Sequence, residues 1–231
     1  MSNKIPPTVQ VIAIDGPSAS GKSTVSKRVA LELEYTYVDS GSLYRGMTWK
    51  ALRENVDIKH PEQVIELMNR MKLEFYAENR VVQFTMDGED PGQQIRSEPV
   101  RENVADIAAI PEVRVFLVER LREMVQFGPI VMEGRDIGTV VFPSTPFKFY
   151  LDADPEERAR RRAAELKHME GKGDVSKVLD SLARRDRKDS TRATAPLQIA
   201  LGARVINSTS MSIEEVVALI VAEVRAASKG S

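Results

Sequence analysis

One stretch constrains this chain more than any other: an apolar run, Val9, Val11, Ile12, Ala13 and Ile14, that breaks at Asp15 into Gly16-Pro17-Ser18-Ala19-Ser20-Gly21-Lys22-Ser23-Thr24. The break fits the phosphate-binding pattern G-x-x-x-x-G-K-[ST], in the strand-then-helix setting that the pattern requires. Gly16 and Gly21 let the backbone turn with no Cβ in the way, so that successive N–H groups and the start of the next helix can point at phosphate oxygens. Lys22 is expected to span the two terminal phosphates, and the Ser23 hydroxyl to take one place on a magnesium ion. Nucleotide binding is therefore the premise from which the rest is read.

At 231 residues the chain can bury one large core with insertions, so a single domain is expected. A formal charge of −1 gives no general attraction to nucleic acid or to an acidic membrane, and any basic site must be local. The absence of cysteine excludes a disulfide scaffold, a thiol nucleophile and a thiolate metal site, and two histidines, His60 and His168, leave little from which to build a zinc centre. The start, MSNKIPP, lacks a signal-peptide core, and the longest apolar run, Val216 to Ala222, is too short to cross a bilayer. A cytoplasmic protein is expected.

Helical spacing of Val25, Val29, Ala30 and Leu33 follows the loop, and Tyr35 to Val38 reads as a short strand ending at Asp39-Ser40-Gly41. Chemistry in an open parallel sheet gathers at the carboxyl ends of strands, which places this tripeptide beside the loop. Ser40 with Gly41 reads equally well as a helix cap. The helix they open, from Ser42 to about Asn55, carries Tyr44 and Arg45 in its first turn. Another helix spans Pro61 to Met71. From Lys72 to Asp87 apolar and polar residues alternate around the turn signals Glu78-Asn79 and Asp87-Gly88, an antiparallel hairpin inserted into a strand-helix-strand chain. Helices from Glu98 to Ile110 and Pro111 to Phe127 lead into a buried strand, Ile130 to Met132, that releases Glu133-Gly134-Arg135-Asp136.

A strand from Phe147 to Leu151 is followed by a helix capped by Asp154-Pro155 that carries Arg158, Arg160, Arg161 and Arg162; a second basic stretch holds Arg184, Arg185, Arg187, Lys188 and Arg192. Acidic residues are interleaved, and Asp152 to Arg192 contains no Phe, Tyr or Trp ring, unlike a surface that stacks nucleic-acid bases. A solvated, salt-bridged face accounts for most single arginines, whereas the group beside a nucleotide site is expected to supply two or three phosphate ligands. Gly171 and Gly173 would let the two stretches hinge as a lid. A last strand, Ala203 to Ile206, and a helix opened by the capping box Ser212-x-x-Glu215 end the pattern.

Five strands alternating with helices imply an α/β fold: a P-loop three-layer sandwich with a five-stranded parallel sheet, a small antiparallel insert and an arginine-rich helical lid. The core is expected at about 8–58, 98–152 and 193–228, the insert at 59–97 and the lid at 153–192. Such an arrangement suits a small kinase that encloses two phosphorylated molecules and shuts out water.

In chain order, IDGPSASGKST, DSGSLYRG, IRSEPV, EGRDIGTVVFP and RRDRKDSTRATAPL resemble the bacterial cytidylate kinase family across nearly the whole length. The resemblance implies a monomeric enzyme that moves the γ-phosphoryl group of ATP onto CMP or dCMP with magnesium. By position, Gly16 to Thr24 would hold ATP, with Arg158, Arg161 and Arg162 in the lid above it. Arg45, Arg135 and Arg192 would clamp the CMP phosphate, Arg185 and Asp189 would meet the ribose, and Ser40, Tyr44, Arg114 and Asp136 would line the pocket, the last two facing the cytosine edge. Lys22, Arg135, Arg162 and Arg192 would carry the catalytic charge. Two positions depart from the family: Ala105 stands where a serine is common, which implies one fewer polar contact to the base, and Ser144 replaces an aspartate.

A phosphate monoester with a second pKa near 6 is already an anion at neutral pH, so its phosphorylation needs no general base, only alignment and charge neutralisation. A kinase acting on a hydroxyl more often needs a placed carboxylate, a part open to Asp39 or Asp136, so a small-metabolite kinase is the alternative, beside a UMP/CMP kinase of broader base choice. No N-K-x-D sequence for guanine occurs.

Overall fold

In the computed structural model, which describes residues 10–171, 173–192 and 194–229, strand β1 (Val11–Asp15) is buried at every position. That is the pattern of a central parallel strand with helices on both faces. Val9 of the expected first strand lies outside the described residues, as do residues 8 and 193 of the expected core boundaries. Helix α1 (Lys22–Leu33) leaves the loop, and β2 (Thr36–Asp39) leads directly into α2 (Ser40–Arg53). Then come α3 (Pro61–Arg70), the hairpin β3 (Leu73–Glu78) and β4 (Val81–Met86), α4 (Glu98–Ile107) and α5 (Pro111–Arg122). The second half contains β5 (Ile130–Gly134), a short π-helical segment (Ile137–Val141), β6 (Phe147–Asp152), α6 (Pro155–Glu170), α7 (Val175–Thr191), β7 (Arg204–Asn207) and α8 (Ile213–Lys229).

The strands form one sheet in the order β3-β4-β2-β5-β1-β6-β7. Pairing is parallel from β2 through β5, β1 and β6 to β7, so the loops after β1, β2, β5 and β6 all open at the same end. The hairpin is not a separate layer: β4 joins β2 through Tyr37 and Val81, giving a sheet of seven strands with the antiparallel β3 at its edge. No local pattern announces this pairing, because an exposed hairpin and one fused to a sheet edge alternate alike.

Two apolar cores lie on the two faces. On one, Leu43, Met47, Leu67, Leu117, Leu121 and Phe142 pack beneath α2 to α5; on the other, Val29, Phe149, Leu151, Val217, Ile220 and Val224 join α1 and α8 to the sheet. Each fully buried side chain of this size contributes roughly 1.5–3 kcal/mol relative to exposure. A third, smaller cluster of Ala159, Ala163, Val178 and Leu182 holds α6 against α7, with Ala19 of the P-loop packed on it.

Helix ends differ in part from expectation. The cap of α2 is Asp39, whose Oδ1 accepts from Ser42 N at 3.1 Å, while Ser40 and Gly41 are the first residues inside the helix. Asp154 occupies the N-cap of α6 without a side-chain capping bond. The capping box of α8 is formed on both sides: Ser212 N donates to Glu215 Oε2 at 2.8 Å and Glu215 N to Ser212 Oγ at 3.2 Å. Between α6 and α7, a Cβ on Gly173 would stand 2.5 Å from the Ala163 carbonyl oxygen, so this glycine marks close packing rather than a free hinge.

Candidate active site

The P-loop is shaped by close approach as much as by turning. Gly16 has φ +146°, and a Cβ there would fall 2.0 Å from the Leu151 carbonyl oxygen; Gly21, at φ +91°, is the N-cap of α1. Ala19 is left-handed at φ +61° without being glycine, a local strain of the kind that gathers at functional sites. Lys22 Nζ donates to Pro17 O at 2.6 Å and approaches Ser20 Oγ at 3.4 Å. Neighbouring elements brace the loop: Arg158 of α6 donates to Ser18 O at 3.1 Å, and Ser208, just beyond β7, donates to Ser20 O at 3.1 Å.

Opposite the loop lies a cleft of about 300 Å³, lined on one side by Ser18, Ala19, Gly21, Lys22, Ser23 and Thr24. Its other walls come from the carboxyl end of β2 and the start of α2 (Asp39, Ser40, Gly41, Tyr44, Arg45), from α4 and α5 (Ala105, Arg114), from the end of β5 (Glu133 to Asp136), and from α6, α7 and the residue after it (Arg162, Arg185, Asp189, Arg192). Every residue expected to meet the acceptor therefore lines one cavity with the P-loop. Gly16, Pro17 and Ser20 sit behind the wall as loop backbone. Arg158 and Arg161 do not line the cavity: Arg158 bonds Ala153 O and Asp186 besides Ser18 O, and Arg161 bonds Glu157 and both oxygens of Ser208. Charge density on α6 marks these arginines in the sequence, but only tertiary packing separates the ones that brace from the one, Arg162, that faces the cleft.

The guanidinium groups rest on carboxylates. Arg45 donates to Asp39 at 2.6 Å, Arg135 to Asp189 at 3.1 Å, and Arg192 lies 3.9 Å from Asp136 and 3.8 Å from Asp189. Arg114 forms a short, buried ion pair with Asp136 and stacks 5.4 Å over the Tyr44 ring. Several buried donors have no hydrogen-bond partner among the described residues: the Tyr44 hydroxyl, Arg45 Nε, Arg114 Nε and Arg192 Nη2. Orphaned donors at this density are costly unless a ligand satisfies them.

Electrostatics point the same way. Burial, reinforced by Arg135, pulls the Lys22 ammonium down to about 7, and burial with Arg135 also brings Arg185 down to about 10. Burial and then Arg114 lower Arg192. Cations whose charged forms are disfavoured in this way are waiting for negative charge. Burial works to raise Asp39, but Arg45, Arg96 and the Ser42 amide together outweigh it and hold the carboxyl below its usual range.

Glu133, named in the sequence only as the start of the run into Arg135, proves to be part of the site. This buried carboxylate accepts from Ser23 Oγ at 2.9 Å and through its other oxygen from the Tyr37 hydroxyl, in a short bond; burial, then Asp39, raise its pKa. Its place at the end of a strand in the same run as Arg135 was the available signal. Arg96, which lines the cleft 4.0 Å from Asp39, was likewise unassigned.

A parallel sheet that feeds a P-loop, with guanidinium groups facing that loop across one cleft, defines a P-loop enzyme that handles phosphorylated ligands. The family model for cytidylate kinase matches residues 12–226, and the chain belongs to that family. A cytidylate kinase of Caldanaerobacter subterraneus subsp. tengcongensis is 43% identical over 219 residues, covering 95% of this chain and 96% of the relative. One of Pelotomaculum thermopropionicum is 44% identical over 217 residues, covering 93% and 96%. A solved structure of an uncharacterized protein from Eubacterium ventriosum superposes with a TM-score of 0.50 at 11% identity, over 94% of this chain and 98% of that one, a likeness of fold alone.

Proposed function

We propose that the protein phosphorylates CMP and dCMP at the expense of ATP, by in-line transfer of the γ-phosphoryl group between two anions held in one cleft. The observation that carries this reading is that Arg45, Arg135 and Arg192 line the same cavity as Lys22 and Ser23. Guanidinium forks match phosphate oxygens, and several of them around an acceptor offset the repulsion between two poly-anions. ATP would lie along residues 16–24, with Lys22 leaving the Pro17 carbonyl for the terminal phosphates and Arg162 reaching the transferred group. CMP would occupy the far side, its phosphate among the three arginines, its ribose near Arg185 and Asp189, and its base among Ser40, Tyr44, Arg114 and Asp136.

Asp39 and Asp136, the carboxylates open to serving as a general base, are committed to Arg45 and Arg114, which favours a phosphate acceptor over a hydroxyl. Cytosine carries an amino donor where uracil has a carbonyl. An acceptor oxygen of Asp136 suits the first and opposes the second, although Ala105 supplies no hydroxyl to add to this choice. Magnesium suits the oxygens beside the loop: Ser23 Oγ and Glu133 Oε2 lie 2.9 Å apart, hard donors that leave other positions to water and phosphate. When bound, the ion would neutralise charge on the β- and γ-phosphates. The chain works as a monomeric cytoplasmic domain, with a core near 8–58, 98–152 and 193–228, an acceptor-side insert at 59–97 and a closing helical pair at 153–192.

The test is ADP release from ATP with CMP, dCMP, UMP, AMP, GMP and shikimate-like or sugar alcohols in turn. Turnover is expected to be greatest with CMP and dCMP and absent with the alcohols; turnover on an alcohol with none on CMP would replace this reading by the small-metabolite kinase.

A further inference from the structure

Asp15 is the last residue of β1 and the residue before Gly16, it is 3% exposed, and it does not line the cleft. Its two carboxylate oxygens are nevertheless fully directed. Oδ1 accepts from Ile137 N and Oδ2 from Gly138 N, both at 2.8 Å. These are the first two N–H groups of the π-helical segment Ile137–Val141, whose own backbone bonds begin only with Val140 and Val141 donating to Asp136 O at 2.8 and 3.2 Å. Groups at the start of a helical turn have no partner within it and must find one elsewhere. Asp15 supplies that partner from another strand.

The segment it holds begins immediately after Arg135 and Asp136, and Gly134 lies opposite Asp15 in the β1–β5 register. The approach is tight: a Cβ on Gly134 would stand 2.6 Å from both Ile137 Cδ1 and Ser40 Oγ, so the turn has no slack to absorb a shift. A single carboxylate is thus bonded covalently to the arm that cradles the donor and by two hydrogen bonds to the arm that bears acceptor ligands.

We infer that Asp15 is a positioning residue that fixes Arg135 and Asp136 relative to the P-loop, and so sets the separation between acceptor and donor phosphates. The inference rests on the assignment of Arg135 and Asp136 to the acceptor. Loss of the splint leaves the P-loop itself intact, held as it is by Arg158 and Ser208, but lets the acceptor arm drift. Misplacement of an ångström at reacting groups is costly because catalysis here is chiefly alignment.

The experiment is steady-state kinetics of Asp15→Asn, with Arg135→Ala as control and hydrogen exchange read on the unaltered enzyme. Asparagine offers one acceptor oxygen but turns an amide donor toward the second N–H. The KM for CMP is expected to rise and kcat to fall, each by about 10-fold, while the KM for ATP changes by less than about 2-fold. Unchanged CMP kinetics would overturn the proposal. So would KM values for CMP and ATP that rise together, the mark of a merely structural residue. In the unaltered enzyme the Ile137 and Gly138 amides are expected to exchange slowly; exchange at the rate of an open loop overturns the splint even if the variant fails to fold. Should Arg135→Ala leave the CMP KM unchanged, the acceptor assignment itself falls and takes the proposal with it.

Discussion

At the scale of single residues, the site is a set of charges placed where burial works against them, and Asp15 shows what that implies for stability. Burial, opposed by the Gly138 and Ile137 amides, raises its carboxyl from 3.8 to about 6, with the Asp136 carboxylate adding to the rise and Lys22 opposing it. A folded-state pKa above the unfolded one means that the native protein binds more protons between these values. The stability Asp15 contributes is therefore fully present below about 3.8 and is lost as pH rises through about 6. The Tm difference between the unaltered protein and Asp15→Asn is expected to shrink from pH 4 to pH 6 and then to stay flat to pH 8. A difference that instead grows across this window contradicts the raised pKa. Asp15 and Glu133 also mark where residue-by-residue reading stops. Each is a lone acid at the end of an apolar run, and nothing local tells a buried acceptor of two amides from a solvated strand terminus.

Among elements, the features that depend on local rules were legible: the glycine-framed loop, the 3.6-residue spacing of α1 and α8, the hairpin alternation and the Ser212–Glu215 box. Features set by contact between distant segments were not. The fusion of β4 to β2 needs one edge to find another, and α2 starts at Ser40 because Asp39, with its capping bond and its tie to Arg45, outcompetes the serine as cap. The division of labour among the α6 arginines belongs here too. Arg158 crosses from α6 to Ser18 of the loop and to Asp186 of α7, the latter at 2.6 Å, and so fastens the helical pair to the phosphate cradle. Removal of one partner from a buried ion pair costs about 3 kcal/mol or more, which corresponds to a Tm drop on the order of 6–12 °C in a chain of this size. Arg158→Ala is expected to show that drop in a thermal melt together with a raised KM for ATP. An unchanged Tm would mean that the bridge contributes nothing.

For the molecule as a whole, the sheet delivers several strand ends to one edge and thereby gathers Lys22, Arg45, Arg135, Arg162, Arg185 and Arg192 into one cleft, although the chain carries a formal charge of only −1. Order along the sequence conveyed the family, because five motifs spaced over most of the chain are hard to match by chance. The convergence of those motifs on a single cavity had to come from the fold. Concentrated cations in a ligand-free cleft weaken the native state until an anion joins them, so ligand binding and stability are linked through charge. CMP at about 100 times its Kd is expected to raise Tm by roughly 5–10 °C, whereas cytidine at the same concentration, lacking the phosphate, moves it by less than about 1 °C. An equal shift from both would show that the base, and not the arginine cluster, supplies the affinity.

The most direct measurement of the central claim, that guanidinium groups hold the acceptor through its phosphate, is kcat/KM for Arg192→Ala with CMP, dCMP and UMP in parallel. Loss of one charge-assisted contact should lower all three by about 10- to 100-fold and by the same factor. A loss confined to one base, leaving the others at the unaltered enzyme's values, would place Arg192 on the nucleobase and contradict the account.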